Sequence, residues 1–413
     1  MNFQPPSPDI LTDETAWREH WFRHVRIKRQ KRRCSRCLYD EEVPGIVFDM
    51  AGLCQYCHLH DRMDQEYPCG ARGEEILGRM VDDIKRAGYG KPFDVVIGVS
   101  GGCDSSFMVS RAIELGLRPL AAHFDNTWNS GIATENIHKV MGKLGVQLYT
   151  HVVDNEVYND IYRSFLLAGV PDVEAPTDIA LATTLYLAGQ KYGIRYQFEG
   201  HSFRTEGVSP LGWLYMDGRY IESVVRQHGH YSEHRLRTYP NLTLTRFLKF
   251  TVGLRVKKIR PLYWMDYDKE ATKTMLKERF DWRWYGGHHL ENRFTAFYHS
   301  YFLPRRFGID QRPNAFSAMI RSGQMTREEG LKLLEEPPLI DLEIVEIVKK
   351  RLNFPAQEWV KVMTLPLRTY KDYPTYKQTF ERLRPLFYLL YKMDLVPKSF
   401  YVKYTAKSAA TLR

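Results

Sequence analysis

Residues 100–106 read Ser-Gly-Gly-Cys-Asp-Ser-Ser, a run of small residues around a single carboxylate. The apolar, β-branched stretch before it, Asp94 to Val99, reads as a buried strand. The stretch after it, Ser106 to Leu115, places apolar residues at helical spacing. A glycine-rich turn from strand to helix aligns backbone N–H groups at the positive end of the helix dipole, which makes an anion cradle. The common nucleoside-triphosphate loop ends in Gly-Lys-Ser/Thr. No lysine stands in this turn; the hydroxyls of Ser100, Ser105 and Ser106 replace it, with Asp104 among them. The competing reading is a serine-rich helix cap without a ligand.

A second chemistry lies near the start of the chain. Cys34, Cys37, Cys54 and Cys57 form C-x2-C, sixteen residues, C-x2-C, the spacing of a zinc ribbon. Two residues between cysteines let both thiolates reach one ion, and four thiolates close a tetrahedral shell with no position left for a substrate. Such a site is structural; the alternatives are disulfides, disfavoured in a reducing cytosol, and an iron–sulfur cluster with the same ligand type. His58 and His60 beside it read as bystanders, and Cys69 and Cys103 as ordinary small buried residues.

These groups need a scaffold. The 413 residues are enough for two or three domains, and 44% hydrophobic content supports packed cores. Residues 118–128, "VQLYTHVVD" (146–154) and residues 194–207 read as further strands, with helices over Ile132–Leu144 and Asp178–Tyr192. Strands alternating with helices predict an α/β domain, a parallel sheet with helices on both faces. Ligands then bind beyond the carboxyl ends of the strands, so loop 100–106, Asp125-Asn126 and loop 199–206 should share one edge. The net charge of +10 favours anionic partners. The basic run 23–33 reads as a solvated helix or linker, with a nucleic-acid contact as the alternative. No apolar run approaches a membrane span and the N-terminus lacks a signal-peptide pattern, so a soluble cytoplasmic protein is expected.

SGG-x-DSS after a buried strand resembles the signature of the PP-loop, or N-type, ATP pyrophosphatases. The resemblance implies an adenine nucleotide alpha hydrolase-like fold, a loop holding the β,γ-phosphates with Mg2+ bridging their oxygens, and attack at the α-phosphate. Within that group the chain resembles the N-acetyl sugar amidotransferases of surface-polysaccharide and pseudaminic-acid-type pathways, over about residues 32–338. The resemblance rests on the cysteine ribbon ahead of "FDVVIGVSGGCDSS", on "GLRPLAAHFDNTWNSGIATENIHKV" and on "AGVPDVEAPTDIALATTLYLAGQKYGIRYQFEGHSFRTEGVSP". It continues through "GGHHLENRFTAFYHSYFLPRRFGIDQRP" and "MIRSGQMTREEGLKLLEEP". It implies that ATP adenylylates the amide oxygen of a UDP-linked diacetamido sugar and that ammonia then gives an acetamidino group, for O-antigen or a related surface glycan. The ammonia would come from separate glutaminase subunits resembling the halves of imidazole-glycerol-phosphate synthase. The alternatives are a tRNA-modifying PP-loop enzyme, by thiolation or lysidine formation, and a scaffold that binds ATP without chemistry.

On this reading Ser100, Gly101, Gly102, Asp104, Ser105 and Ser106 hold the pyrophosphate, and Asp125 orients the nucleotide or a metal unless it caps a helix. Asp104, Ser105, Arg204 and Glu206 are the candidate catalytic residues, Arg204 stabilising charge on the α-phosphate and Glu206 taking a proton from attacking ammonium. Candidate substrate contacts are Asp178, Glu199, His201, Thr205, His288, His289 and Glu291; helix capping for Asp178 and a buried histidine in the H-H-x-E group are the plainer alternatives. "TREE" at 326–329 reads as a capping box. The expected organisation is a basic leader (1–31), a zinc ribbon (32–70), the PP-loop domain (71–265) and a mostly helical C-terminal region (266–413).

Overall fold

A computed structural model describes residues 5–29, 31–210, 213–230, 236, 238–287 and 290–406. Five strands form one parallel sheet in the order β3-β2-β1-β4-β5. They are β1 (Val95–Gly98), β2 (Pro119–Asp125), β3 (Leu148–Val152), β4 (Tyr196–Phe198) and β5 (Lys257–Ile259). The order reverses between β1 and β4, the place where an open parallel sheet leaves a crevice at its carboxyl edge.

The leader contributes α1 (Pro8–Thr12) and α2 (Glu14–Arg29), and the cysteine module ends in α3 (Gln55–Glu66). Around the sheet lie α4 (Gly70–Gly88), α5 (Cys103–Glu114), α6 (Gly131–Leu144), α7 (Asn155–Ala168) and α8 (Ala175–Tyr192). The period-2 alternation of a strand separates its two faces. Val95, Ile97 and Val99 pack with Leu77 and Ile84 of α4, Met108 of α5 and Val140 of α6, whereas Val96, Leu120 and Ala122 pack against Leu185 and Ala188 of α8. Both faces are covered, as expected for a parallel α/β sheet.

After β4 come α9 (Gly218–His228), α10 (Leu244–Leu248) and, beyond β5, α11 (Lys269–Phe280). Leu276 and Phe280 of α11 join the same core as α4–α6. α11, part of the region 266–413 expected to be mostly helical, thus packs against the sheet layer. The rest is helical: α12 (Arg293–Phe297), α13 (Leu303–Phe307), α14 (Arg312–Arg321), α15 (Arg327–Glu335), α16 (Leu342–Arg351) and α17 (Ala356–Thr364). It closes with α18 (Lys377–Arg382), α19 (Arg384–Lys392) and α20 (Lys398–Thr405). Their largest core joins α7 and α9 to α12, α13, α16 and α17 through residues such as Phe165, Tyr220, Phe297, Phe302, Val348 and Trp359. Thr326 and Glu329 do form a capping box, opening α15. Among the described residues no helix is long and apolar enough to cross a membrane.

Candidate active site

β1 hands over to α5 through the turn 99–102, and its shape depends on glycine. Gly101 sits at φ +81°, where a Cβ would lie 2.2 Å from the Ala133 carbonyl oxygen. Its own carbonyl accepts from Trp282 Nε1 at 3.0 Å and Asn136 Nδ2 at 3.3 Å. The serines bind the turn internally. Ser100 Oγ accepts from Gly102 N (3.2 Å) and donates to Glu291 Oε1 (3.4 Å). Ser105 Oγ accepts from Ser100 N (3.4 Å) and donates to the Gly102 carbonyl (3.2 Å). Gly102 is the N-cap of α5 and no side chain caps that helix. The positive end of the dipole thus faces an open cavity.

That cavity is about 150 Å³ and is lined by Ser100, Gly102, Asp104, Ser105 and Gly200, with walls from Glu206, Lys269, Trp284, Tyr285 and Glu291. It is smaller than cavities that enclose a drug-sized ligand. Lysine, absent from the turn, arrives from the start of α11: Lys269 Nζ lies 3.3 Å from Asp104 Oδ2. Tyr267 donates to Asp104 Oδ1, and Glu206 also hydrogen-bonds this carboxylate. Burial opposes the charge on Asp104, but Lys269 and the bonds from Glu206 and Tyr267 outweigh it, so the pKa falls below the ordinary aspartate value. Two carboxyl groups can share a hydrogen bond only through a proton. Lys269 is affected in the converse way: burial lowers its pKa, and Asp104 and Glu206 raise it further, for a net rise.

The loop after β4 divides. Glu206 reaches the cavity, and Gly200 lies against Asp104 and Ser105. Glu199 is instead held by two cations of the neighbouring β5 segment, Lys258 at 2.7 Å and Arg260 at 2.9 Å. Burial would raise its pKa; the two cations win and bring it down to about 2. His201 hydrogen-bonds the Gly207 carbonyl through Nε2 (3.0 Å) and the Tyr263 hydroxyl through Nδ1 (3.1 Å). Burial, then Arg260, push its pKa to about 4, so the ring is neutral with the proton on Nε2. Arg204 turns away from the cavity: Nε donates to Asp64 Oδ1 at 2.8 Å, Nη1 to the Tyr263 carbonyl at 2.8 Å and Nη2 to the Tyr67 carbonyl at 2.7 Å. In this position it clamps the loop to α3. Thr205 is buried, with no hydrogen-bond partner for Oγ1 among the described residues.

Asp125 lies at the carboxyl end of β2, on the expected edge but outside the cavity lining. It does not cap α6, whose cap is Ser130; its Oδ1 accepts from Thr127 N at 2.8 Å. Asp178 is exposed in the first turn of α8 and is not the cap, which is Glu174. Ser106 is buried inside α5, its N–H donating to the Gly102 carbonyl at 3.1 Å. Glu291 reaches the cavity because its segment pairs with Asn129–Ser130, where Ser130 N donates to the Glu291 carbonyl at 2.8 Å. His288 and His289 lie outside the described residues. Sequence reasoning missed Tyr267, Lys269, Trp284 and Tyr285, which no local motif marks.

The four cysteines meet as their spacing predicts. All are fully buried, with Sγ–Sγ separations of 3.7 Å for 34–57, 37–54 and 54–57. A tetrahedral ion with metal–sulfur bonds of about 2.3 Å needs sulfurs about 3.8 Å apart. The set therefore could hold one metal ion. Arg321, from α14, donates to Cys37 Sγ (3.1 Å) and Cys57 Sγ (3.4 Å), a cation placed against the excess negative charge of four thiolates.

Residues 291–385, beginning at the cavity-lining Glu291, match the family model described as LPS biosynthesis protein WbpG-like, C-terminal domain. No curated protein matches the chain. Among solved structures, an NMN synthetase from Francisella tularensis is 15% identical with a TM-score of 0.27, covering 72% of this chain and 98% of its own. A predicted subunit of tRNA methyltransferase from Methanocaldococcus jannaschii is 15% identical with a TM-score of 0.25, covering 45% of this chain and 75% of its own. Similarities at that level carry no functional weight. The class assignment rests on the sheet itself: an α/β protein with a glycine-rich anion turn at its switch point, a four-cysteine module ahead of it and a helical C-terminal region.

Proposed function

We propose that the chain is a PP-loop ATP-dependent amidotransferase that converts an N-acetyl group of a nucleotide-linked sugar into an acetamidino group. The observation that carries the ATP chemistry is the turn 100–106, at the switch point and the uncapped N-terminus of α5, with Lys269 closing over it. The match of residues 291–385 to a lipopolysaccharide-biosynthesis family supports the choice of a sugar acceptor.

In this reaction the amide oxygen attacks the α-phosphorus, the bond to the bridging oxygen breaks and pyrophosphate leaves. Ammonia adds to the activated carbon, a proton departs, and the C–O bond breaks to release AMP. The α5 N–H groups and Lys269 bind the departing pyrophosphate. Asp104, Glu206 and Glu291 bring three carboxylates to one cavity, and hard oxygen donors of this kind fit Mg2+. When bound, Mg2+ supplies charge neutralisation of the phosphates. Once a cation in the cavity displaces the proton that Glu206 shares with Asp104, Glu206 is the carboxylate of the β4 loop that faces the cavity and can take the proton from ammonium. Zinc in the four-cysteine site stabilises the fold and takes no part in the reaction.

Ammonia from a separate glutaminase fits the cysteine inventory. Four of the six are committed to the cluster. Cys103 is buried and its thiol pushed up to about 12, chiefly by desolvation; Cys69 is raised by the same cause. Neither has the lowered pKa of a nucleophile.

The test is product analysis. Purified protein with ATP, Mg2+, ammonium and a panel of UDP-diacetamido sugars should yield AMP, pyrophosphate and a sugar in which NH replaces oxygen. Silence with every sugar, but AMP release with bulk tRNA, would overturn the acceptor and leave the activation chemistry standing.

A further inference from the structure

Far in sequence from the cavity, α19 carries an apolar face that nothing among the described residues covers. Phe387 and Leu390 point inward and are buried with Phe247, Phe380 and Phe400. On the outer side Leu386 is 43% exposed, Leu389 55% and Met393 58%, spaced at three and four residues so that they form one stripe. Leu383, three residues before Leu386, extends it at 36%. Exposed apolar side chains scattered singly need no explanation, but a contiguous stripe marks an interaction surface.

Its rim narrows the choice of partner. Arg382, four residues before Leu386, and Lys392, next to Met393, are exposed at its edges, while the flanking Glu381 and Asp394 are paired with Lys377 and Lys257. Tyr388, Tyr391 and Tyr401 pack against one another, with Lys392 Nζ 5.5 Å from the centroids of the Tyr388 and Tyr391 rings. Leucines flanked by cations and tyrosines are the composition of a helix lying at a lipid interface. A second copy of this chain would bring an identical cationic rim against its own, which like-charge repulsion disfavours.

We infer that the outer face of α19 docks the protein on an anionic lipid surface, Leu386, Leu389 and Met393 entering the headgroup boundary and Arg382 and Lys392 pairing with lipid phosphates. This does not rest on the acetamidino reading. The test is co-sedimentation of the full chain with vesicles of phosphatidylcholine alone and of phosphatidylcholine with phosphatidylglycerol. The expected result is binding to the anionic vesicles only. Because the whole chain is basic, the deciding variant is apolar: Leu386→Ser with Leu389→Ser and Met393→Ser should lower partitioning by about tenfold or more. Lys392→Ser should lower it about fivefold. All these positions are exposed, and a thermal melt verifies that the variants fold. Unchanged binding of the triple variant overturns the inference, as does no binding by the parent chain. Light scattering that shows a dimer dissolved by the triple variant also overturns it, and assigns the face to a second copy.

Discussion

Gly101→Ala tests how the anion turn is held. At φ +81° the new Cβ meets the Ala133 carbonyl oxygen at 2.2 Å, its carbon at 2.8 Å and its Cα at 3.0 Å. All three are backbone, so no side chain can swing away. The left-handed conformation costs alanine about 1–2 kcal/mol, and forced overpacking about 1–3 kcal/mol. The stiffer unfolded chain returns about 0.4–1 kcal/mol. A net loss of about 1–5 kcal/mol in a chain this long lowers Tm by about 1–5 °C. The effect on function should be larger, since relief of the contact pulls the Gly101 carbonyl from Trp282 and Asn136 and displaces the turn. ATP-dependent release of AMP should fall more than tenfold while far-UV circular dichroism stays unchanged. Gly131→Ala is the matched control: it opens α6, and a Cβ there has nothing within 4 Å. An alanine at 101 with parental Tm and parental turnover would refute both the pinned turn and its role in binding phosphate.

Three further outcomes follow from single interactions. Lys269→Gln removes a charge-assisted contact worth about 1.5–3 kcal/mol; AMP release should drop ten- to a hundredfold with a raised KM for ATP, and an unchanged KM would place the phosphates elsewhere. The Glu174 carboxyl is buried and pushed up to about 8, chiefly by desolvation, with a hydrogen bond from Tyr162 at 3.4 Å. Its contribution is fully present below the ordinary glutamate pKa and is lost as pH rises towards 8, so the parent should melt progressively earlier across that window. Glu174→Gln should flatten the profile, and an unchanged slope in thermal melts from pH 5 to 8.5 would refute the assignment. Metal analysis of the purified chain should give one zinc per chain, and chelation should lower Tm; full occupancy by iron, or a melt insensitive to chelator, would reject the zinc reading.

Local pattern made the strand-turn-helix legible. Asp94–Val99 reads as a strand because four apolar residues precede the glycines, and β1 runs Val95–Gly98. The fourth strand, expected somewhere in 194–207, is only three residues long, Tyr196–Phe198, because the chain leaves the sheet at Glu199 to form the cavity loop. β5 gave no signal: in Lys257-Lys258-Ile259 the lysines are explained by tertiary ion pairs, Lys258 with Glu199 and Lys257 with Asp394. Lys269 was illegible for a related reason. It meets Asp104 across 165 residues, and nothing near it differs from an ordinary helix start. Arg204 shows the opposite failure, since in sequence a loop arginine that would bind phosphate looks the same as one that binds carbonyls.

The position of Arg204 also gives the ribbon and the C-terminal helices a reason to exist beside the cavity. The loop carrying Glu206 has few apolar anchors, and its backbone is tied down from two sides. Arg204 fastens it to Asp64 and Tyr67 at the end of α3, and Ser322 Oγ donates to the Arg204 carbonyl at 2.8 Å. Ser322 caps α14, whose Arg321 reaches the cysteine sulfurs, while Tyr39 of the cysteine module donates to Asn314 of the same helix at 2.6 Å. Gly207 packs so closely on Asn314 that a Cβ would lie 2.8 Å from its Oδ1. The cysteine cluster, α14 and the Glu206 loop are thus joined by hydrogen bonds through buried or half-buried groups. A cluster with no open coordination position can therefore still govern the cavity, by fixing where one carboxylate stands.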